Sequence, residues 1–327
     1  MDPIKRDTVY DYYWRFAAER TKIFYKRFQN DVYPWTEDII LQKYKFCNSF
    51  RACDRVSQYL IKDICYQENP FTEADLLFQI IAFRFFSRID TWESLIQELG
   101  HQPNLEDLKN DSFEKALTKT KSNFGKIYTG AFILCANNAY GRTAKHLNHV
   151  SMFKDMFFTR EVYQRIKDAS SLEIVFNILH EIPLIGDFMA YQIAIDINYS
   201  EITNFSENDF TKAGPGALRG ISKVFSDTNG LNSSEVIMWM TEHQEDEFSR
   251  LGIEFNGLFG RPLHAIDCQN LFCEVDKYCR VAVPEISSSR KRIKACYKKT
   301  ANSIEFFFPP KWGINNQVHA RKDKPML

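Results

Sequence analysis

No stretch of this chain alternates apolar and polar residues at period two over several strands. Its apolar residues recur at spacings of three and four, the repeat of a helix that buries one face. The expected fold is therefore mainly α-helical. At 327 residues the chain can bury a sizeable core, as one large domain or as two smaller lobes. The formal net charge is zero, so no global field draws it to nucleic acid or membrane, and any basic surface must be local.

Eight cysteines are present: Cys47, Cys53, Cys65, Cys135, Cys268, Cys273, Cys279 and Cys296. None forms a CxxC pair, and the spacing of Cys268, Cys273 and Cys279 fits no common zinc or iron–sulfur pattern. Free buried thiols in a reducing compartment are expected, and no metal or organic cofactor is signalled. The N-terminus is polar and no apolar run reaches membrane-spanning length, so an intracellular, cytoplasmic protein is expected.

Residues 8–30 have helical spacing, with Tyr12, Tyr13, Phe16, Phe24 and Phe28 fringed by Arg15, Arg20, Lys22, Lys26 and Arg27. Thr36 is a candidate cap for a helix after Pro34. A further helix is expected over 43–60, which would place Asn48, Arg51 and Arg55 on one face able to meet phosphate or a base edge. Arg51 and Asp54 could equally form a local ion pair. From Thr72 an almost wholly apolar helix is expected to be buried, and Arg84 and Arg88 within it need partners. Residues 100–125 read as a polar loop with a short helix, 127–135 as a buried segment, and 142–170 as one or two helices. Residues 233–251 read as helical with Trp239 and Met240 inward. In 263–280, Leu271, Val275 and Tyr278 can pack while Gln269, Glu274 and Lys277 lie elsewhere. The basic run 287–299, with Arg290, Lys291, Arg292, Lys294, Lys298 and Lys299, is either a solvated face or a grip on a phosphate backbone. Phe306-Phe307-Phe308 is expected to dock on the body, and 313–327 to form a loose tail.

Two glycine turns dominate residues 172–225. In Glu181-Ile182-Pro183-Leu184-Ile185-Gly186-Asp187 a helix ends, Pro183 sets a turn, and Gly186 permits close backbone approach as the next helix begins. The free N–H groups at that helix start can hold a phosphate. In Asp209-Phe210-Thr211-Lys212-Ala213-Gly214-Pro215-Gly216-Ala217 a carboxylate stands ahead of a glycine-rich backbone. Asp209 can act there as a general base, or cap a following helix.

The first turn, the helix after it and Asp209 together resemble the hairpin and catalytic aspartate of helix-hairpin-helix DNA glycosylases. Phe188 stands where lyase-type members carry a lysine, and Leu184 where the first hairpin glycine would be. A second resemblance rests on Asn48-Ser49-Phe50-Arg51-Ala52-Cys53-Asp54-Arg55, on the Asp209–Ala217 block, and on the run from Asp267 to Tyr278. These are similar to the glycosylase-related helical family of bacteriophage thymine hypermodification, which includes the alpha-glutamyl and alpha-putrescinyl thymine synthases. The same helical domain is attached to hydroxymethyluracil DNA kinases. The resemblance spans roughly residues 30–310, with Ala213-Gly214-Pro215-Gly216-Ala217 its most specific piece.

The resemblance implies a helix-hairpin-helix glycosylase-like fold with two helical lobes around a cleft, occupying residues 1–312. It implies a transferase that replaces the phosphate or pyrophosphate of a 5-(phosphooxymethyl)uracil in phage DNA with an amine. The partners are double-stranded DNA carrying the modified base, flipped from the stack, and an amino acid or polyamine. No cofactor is required. Asp209 would deprotonate the amine, and Lys212, Arg51 or Arg55 would hold the leaving phosphate. Pro183, Gly186, Asp187, Gly214, Gly216 and Asn48 would complete the grip on DNA. Gln192, Asp267, Gln269, Asn270 and Lys277 could line a pocket, and Phe46, Phe210 or Tyr191 could stack on the base. The sequence contains no GxxxxGK[ST] phosphate loop, so kinase chemistry is not expected of it. The alternatives are a monofunctional DNA glycosylase and a non-catalytic DNA-binding module.

Overall fold

The protein is described here by a computed structural model covering residues 2–68, 71–130, 138–286, 293, 295–299 and 305–322. The described residues are mainly helical. The chain divides into two compact units. One is Met1–Arg55 with Phe210–Leu327, and the other is Val56–Asp209. None of the described helices is long and apolar enough to cross a membrane.

The discontinuous unit starts with a strand, β1 (Ile4–Lys5), then α1 (Asp7–Phe28) and α2 (Ile39–Lys43). Tyr10, Tyr13, Trp14 and Phe16 lie on the buried face of α1, and each large side chain so buried contributes roughly 1.5–3 kcal/mol. Asp38, not Thr36, caps α2. Its carboxylate accepts from the N–H groups of Ile40 and Leu41 at 2.8 and 3.0 Å, while Thr36 Oγ1 accepts from the Asp38 N–H. A short 3-10 turn follows (Arg51–Cys53), and α3 (Arg55–Tyr59) begins at the boundary.

The continuous unit goes on with a π-helical turn (Leu60–Cys65), then α4 (Glu73–Phe86), α5 (Ile89–Leu99), α6 (Leu105–Lys109) and α7 (Ser112–Phe124). Two helices thus occupy the region read as a loop with one short helix. Thr72 and Asp75 cap α4 reciprocally, which explains why it starts where it does. Next come α8 (Lys145–Phe158), α9 (Val162–Lys167), α10 (Leu172–His180) and α11 (Asp187–Tyr199). Arg84 of α4 meets Asp196 of α11 through both Nε and a terminal nitrogen, the latter at 2.9 Å, with both side chains buried. Arg88 pairs with Asp90 at 2.6 Å. Of the expected buried segment, Ile127 is buried, but Tyr128 and Thr129 are half-buried and Gly130 is exposed, and residues 131–135 lie outside the described residues.

The first unit resumes with α12 (Pro215–Val224), β2 (Phe225–Asp227), α13 (Ser233–Glu242), α14 (Gln244–Arg250), α15 (Ala265–Ala282) and α16 (Asn315–Lys322). β2 pairs antiparallel with β1. Where one helix was expected over 233–251 there are two. Met240 is fully buried and Trp239 half-buried. Phe308 is buried, and Phe306 packs on Phe24 with ring centroids 4.9 Å apart. The stretch expected to be a loose tail carries α16, with Ile314 and Val318 buried. Most of the basic run, residues 287–292 and 294, lies outside the described residues. Of the cysteines, Cys296 is exposed and Cys47 and Cys273 are half-buried, so the expectation of buried thiols fails at these three.

Candidate functional site

The second glycine turn starts α12. Gly214 is its N-cap and Pro215 its first residue, and no side chain caps the helix. Proline suits that position because the missing N–H would have no helical acceptor anyway. The N–H groups that follow can receive an anion. Asp209 is not the cap. It is exposed, and its N–H donates to the Ser206 carbonyl at 3.3 Å. The boundary between the two units falls between Asp209 and Phe210, so Asp209 belongs to one unit and Lys212 to the other. Lys212 is half-buried. Thr211 is buried, and its Oγ1 has no partner among the described residues.

The glycines of α12 answer to α15. A Cβ on Gly216 would lie 2.7 Å from the Cys273 sulfur, and one on Gly220 would lie 2.1 Å from the Phe272 carbonyl oxygen. Gly216 thus makes room for a neighbouring helix. Along α15, Gln269 is fully buried with Oε1 unpartnered among the described residues, and its Nε2 lies 3.6 Å from the Cys273 sulfur. Asn270, one residue on, is half-buried. Asp267 is buried and serves the backbone: one oxygen accepts from the Arg51 N–H at 2.8 Å, the other from the His264 N–H at 3.1 Å. Burial and the charge of Arg261 push the His264 pKa down to about 4. Glu274 is buried too and accepts from the Cys47 N–H at 2.8 Å and from Lys277 at 2.9 Å. Gln269 and Glu274 therefore lie inside the fold, contrary to the sequence pattern.

Asn48, Arg51 and Arg55 do not share a helix face. Asn48 lies in a loop, Arg51 in the 3-10 turn, and Arg55 is exposed at the start of α3. Asn48 is held by hydrogen bonds. Its Oδ1 accepts from Arg20 at 2.9 Å, and its Nδ2 donates to the Cys53 carbonyl and to Asp54. Such side-chain bonds to nearby backbone compete with a helix. Asp54 Oδ1 also receives the Asn48 N–H at 2.9 Å. Phe46 and Tyr191 are core residues, and Phe210 is half-buried.

In the other unit, the first glycine turn is open. Pro183 and Gly186 are exposed, and a Cβ on Gly186 would meet nothing within 4 Å. Leu184 has φ +78°, the left-handed conformation that glycine usually supplies. The turn keeps a glycine-like backbone with a leucine in it. Gly186 caps α11 without a side-chain bond, and Asp187 pairs with His180 at 2.8 Å. Gln192, further along α11, is buried.

One cluster was not anticipated. Asp276 of α15 is fully buried and is reached by Arg219 (3.2 Å), Lys223 (2.9 Å) and Arg280 (2.5 Å). Burial raises its pKa, but the hydrogen bonds and charges of Lys223 and Arg280 outweigh that and hold it below the usual carboxylate range. The signal was present as two pairs at four-residue spacing, Arg219 with Lys223 and Asp276 with Arg280.

Residues 7–288 match the family described as "5-hmdU DNA kinase, helical domain". A 5-hmdU DNA kinase of Bacillus phage SP10 is 26% identical over 296 residues, which cover 85% of this chain and 46% of that protein. The chain thus spans about half the length of the curated relative it matches. No solved structure matches. With the match running unbroken through both units and both glycine turns, the chain belongs to the family of the 5-hmdU DNA kinase helical domain.

Proposed function

We propose that this protein substitutes an amine, from an amino acid or a polyamine, for the phosphate or pyrophosphate on a 5-(phosphooxymethyl)uracil in phage DNA. The carbon–oxygen bond to the leaving group breaks, a carbon–nitrogen bond forms at the 5-methylene carbon, and the amine loses one proton. Asp209 takes that proton. Lys212, together with the backbone N–H groups of Gly214, Gly216 and Ala217 at the uncapped start of α12, holds the departing phosphate. The match to the helical domain over residues 7–288 carries the reading. The substrate named for the phage SP10 kinase, hydroxymethyluracil in DNA, is one phosphorylation short of the activated base that amine transfer needs. The sequence itself holds no GxxxxGK[ST] run.

Nucleoside mass spectrometry tests this directly. DNA containing 5-phosphomethyluracil, incubated with the protein and a mixture of amines, should gain the mass of one amine less phosphate. No gain with any amine sinks the proposal. Asp209→Asn should abolish the gain while DNA affinity stays within about twofold.

The left-handed Leu184 ahead of an uncapped helix start favours one other reading, a monofunctional DNA glycosylase with the α10–α11 hairpin on the DNA. Alkali-labile breaks in DNA treated with the protein alone would support it over amine transfer.

A further inference from the structure

Three of the large apolar side chains exposed among the described residues lie close together in the chain, Val32 (89% exposed) and Tyr33 (37%) in the loop after α1 and Ile39 (77%) at the start of α2. Beneath them lies a cluster of rings. Tyr33 stands edge-on to Trp35 at 5.2 Å and nearly parallel to Tyr297 at 6.5 Å. Trp35 is buried, and its indole N–H donates to the Asp31 carbonyl at 2.9 Å. The segment carrying Tyr297 is tied to the loop by backbone hydrogen bonds. The Lys45 N–H donates to Ala295 and the Tyr297 N–H to Lys43, both at 2.9 Å, around a Tyr44–Cys296 bridge. The two segments form one surface within the first unit.

Cations frame it. Arg27 lies 5.2 Å from the Trp35 ring, Lys43 5.4 Å from Tyr44, and Lys299 5.9 Å from Tyr33. Lys45 and Lys298 are exposed nearby in the chain. Among the carboxylates of the loop, Asp31 and Glu37 are exposed, while Asp38 is used by the α2 cap and by Tyr278. In a chain of zero net charge this is a local positive excess beside exposed rings and aliphatic tips.

We propose that this surface binds a strand of DNA whose bases are unpaired. Tyr33, supported by Trp35 and Tyr297, stacks on a base, Val32 and Ile39 pack on its neighbours, and Lys43, Lys298 and Lys299 meet the phosphates. Paired bases bury their flat faces in the stack, so an exposed ring and aliphatic edge gain most from an opened or single strand. The inference rests on the DNA-substrate reading above and adds where the strand outside the reacting base is held.

The full chain is titrated against a labelled single-stranded oligonucleotide and its duplex, with fluorescence anisotropy as the readout. The wild type should prefer the single strand. Tyr33→Ala should weaken that binding on the order of tenfold, as for loss of one stacked base, and Tyr33→Phe should restore it to within about twofold. The double variant Lys298→Glu with Lys299→Glu should weaken binding and flatten its salt dependence by about 1.4 in the log–log slope, at about 0.7 per lost phosphate contact. Lys109→Glu, on the other unit, should change nothing. Circular dichroism checks that each variant is folded. Unchanged affinity in both Tyr33→Ala and the double lysine variant overturns the proposal. So does a loss confined to vesicles of phosphatidylserine with DNA affinity kept, which would make the surface a lipid contact. No amine or modified base is present, so these variants can lose DNA affinity even if the wild type incorporates no amine. The surface would then stand and the transfer reading would fall.

Discussion

The two glycine turns look alike in sequence and are built on opposite principles. At Pro183 to Gly186 the chain is exposed, Gly186 faces open space, and the strained position is filled by Leu184. At Gly214 to Gly220 no glycine needs a left-handed backbone, and two of them are required by a neighbour: α15 comes within contact of the α12 backbone at Cys273 and Phe272. The first turn has freedom for a ligand to approach. The second spends its glycines on bringing two helices together, and leaves only the uncapped start of α12 for a ligand. A glycine-rich block is therefore not evidence for a phosphate cradle until its neighbour is known.

Five substitutions can break this contrast. Gly220→Ala should have the largest effect, a loss of about 3 kcal/mol in denaturant unfolding, because a backbone carbonyl cannot turn aside. A midpoint equal to wild type would mean the helices are not in backbone contact. Gly216→Ala should cost less, about 1–2 kcal/mol, since it meets a side chain. Cys273→Ala in the same chain should recover most of that loss in a double-mutant cycle, and strictly additive effects would refute the contact. Leu184→Gly should stabilise by up to about 1 kcal/mol, the relief of a left-handed leucine less the entropy of an added glycine. A destabilised Leu184→Gly protein would show that the leucine packs more than its strain costs. Gly186→Ala should stay within about 0.5 kcal/mol of wild type, as befits an open surface position.

Helices with a single buried face were legible from spacing alone. The one opening at Thr72 carries its own cap signal, and the buried Arg84 announced a partner that proved to be Asp196. Of the helix expected over 43–60 only Arg55–Tyr59 forms, as α3, and the earlier part fails because its competitor is partly distant. Tyr44 pairs with Cys296, and Cys47 donates to Glu274, more than two hundred residues away. Gln269 and Glu274 read as lying off the packed face because spacing along one helix does not show what covers it; Glu274 accepts from the Cys47 N–H of a distant segment. Of the candidate site, the uncapped helix start after Gly214 could be read from Pro215. The role given to Lys212 came only through family resemblance, and the local pattern left Asp209 open between a base and a cap, since nothing in it separates a base from an exposed loop carboxylate.

The discontinuity of the first unit has a consequence for synthesis. Residues 1–55 leave the ribosome early, yet α1 packs against α15 and β1 pairs with β2, whose residues follow the entire 56–209 unit. The continuous unit can fold as it emerges. Until residues 225–272 are made, Tyr10, Tyr13 and Trp14 lack the rings of Phe225, Phe272 and Phe248 on which they pack. The nascent chain thus carries an adhesive aromatic helix until that later segment is made, and its yield in a cell should depend on chaperone supply more than its finished stability would suggest.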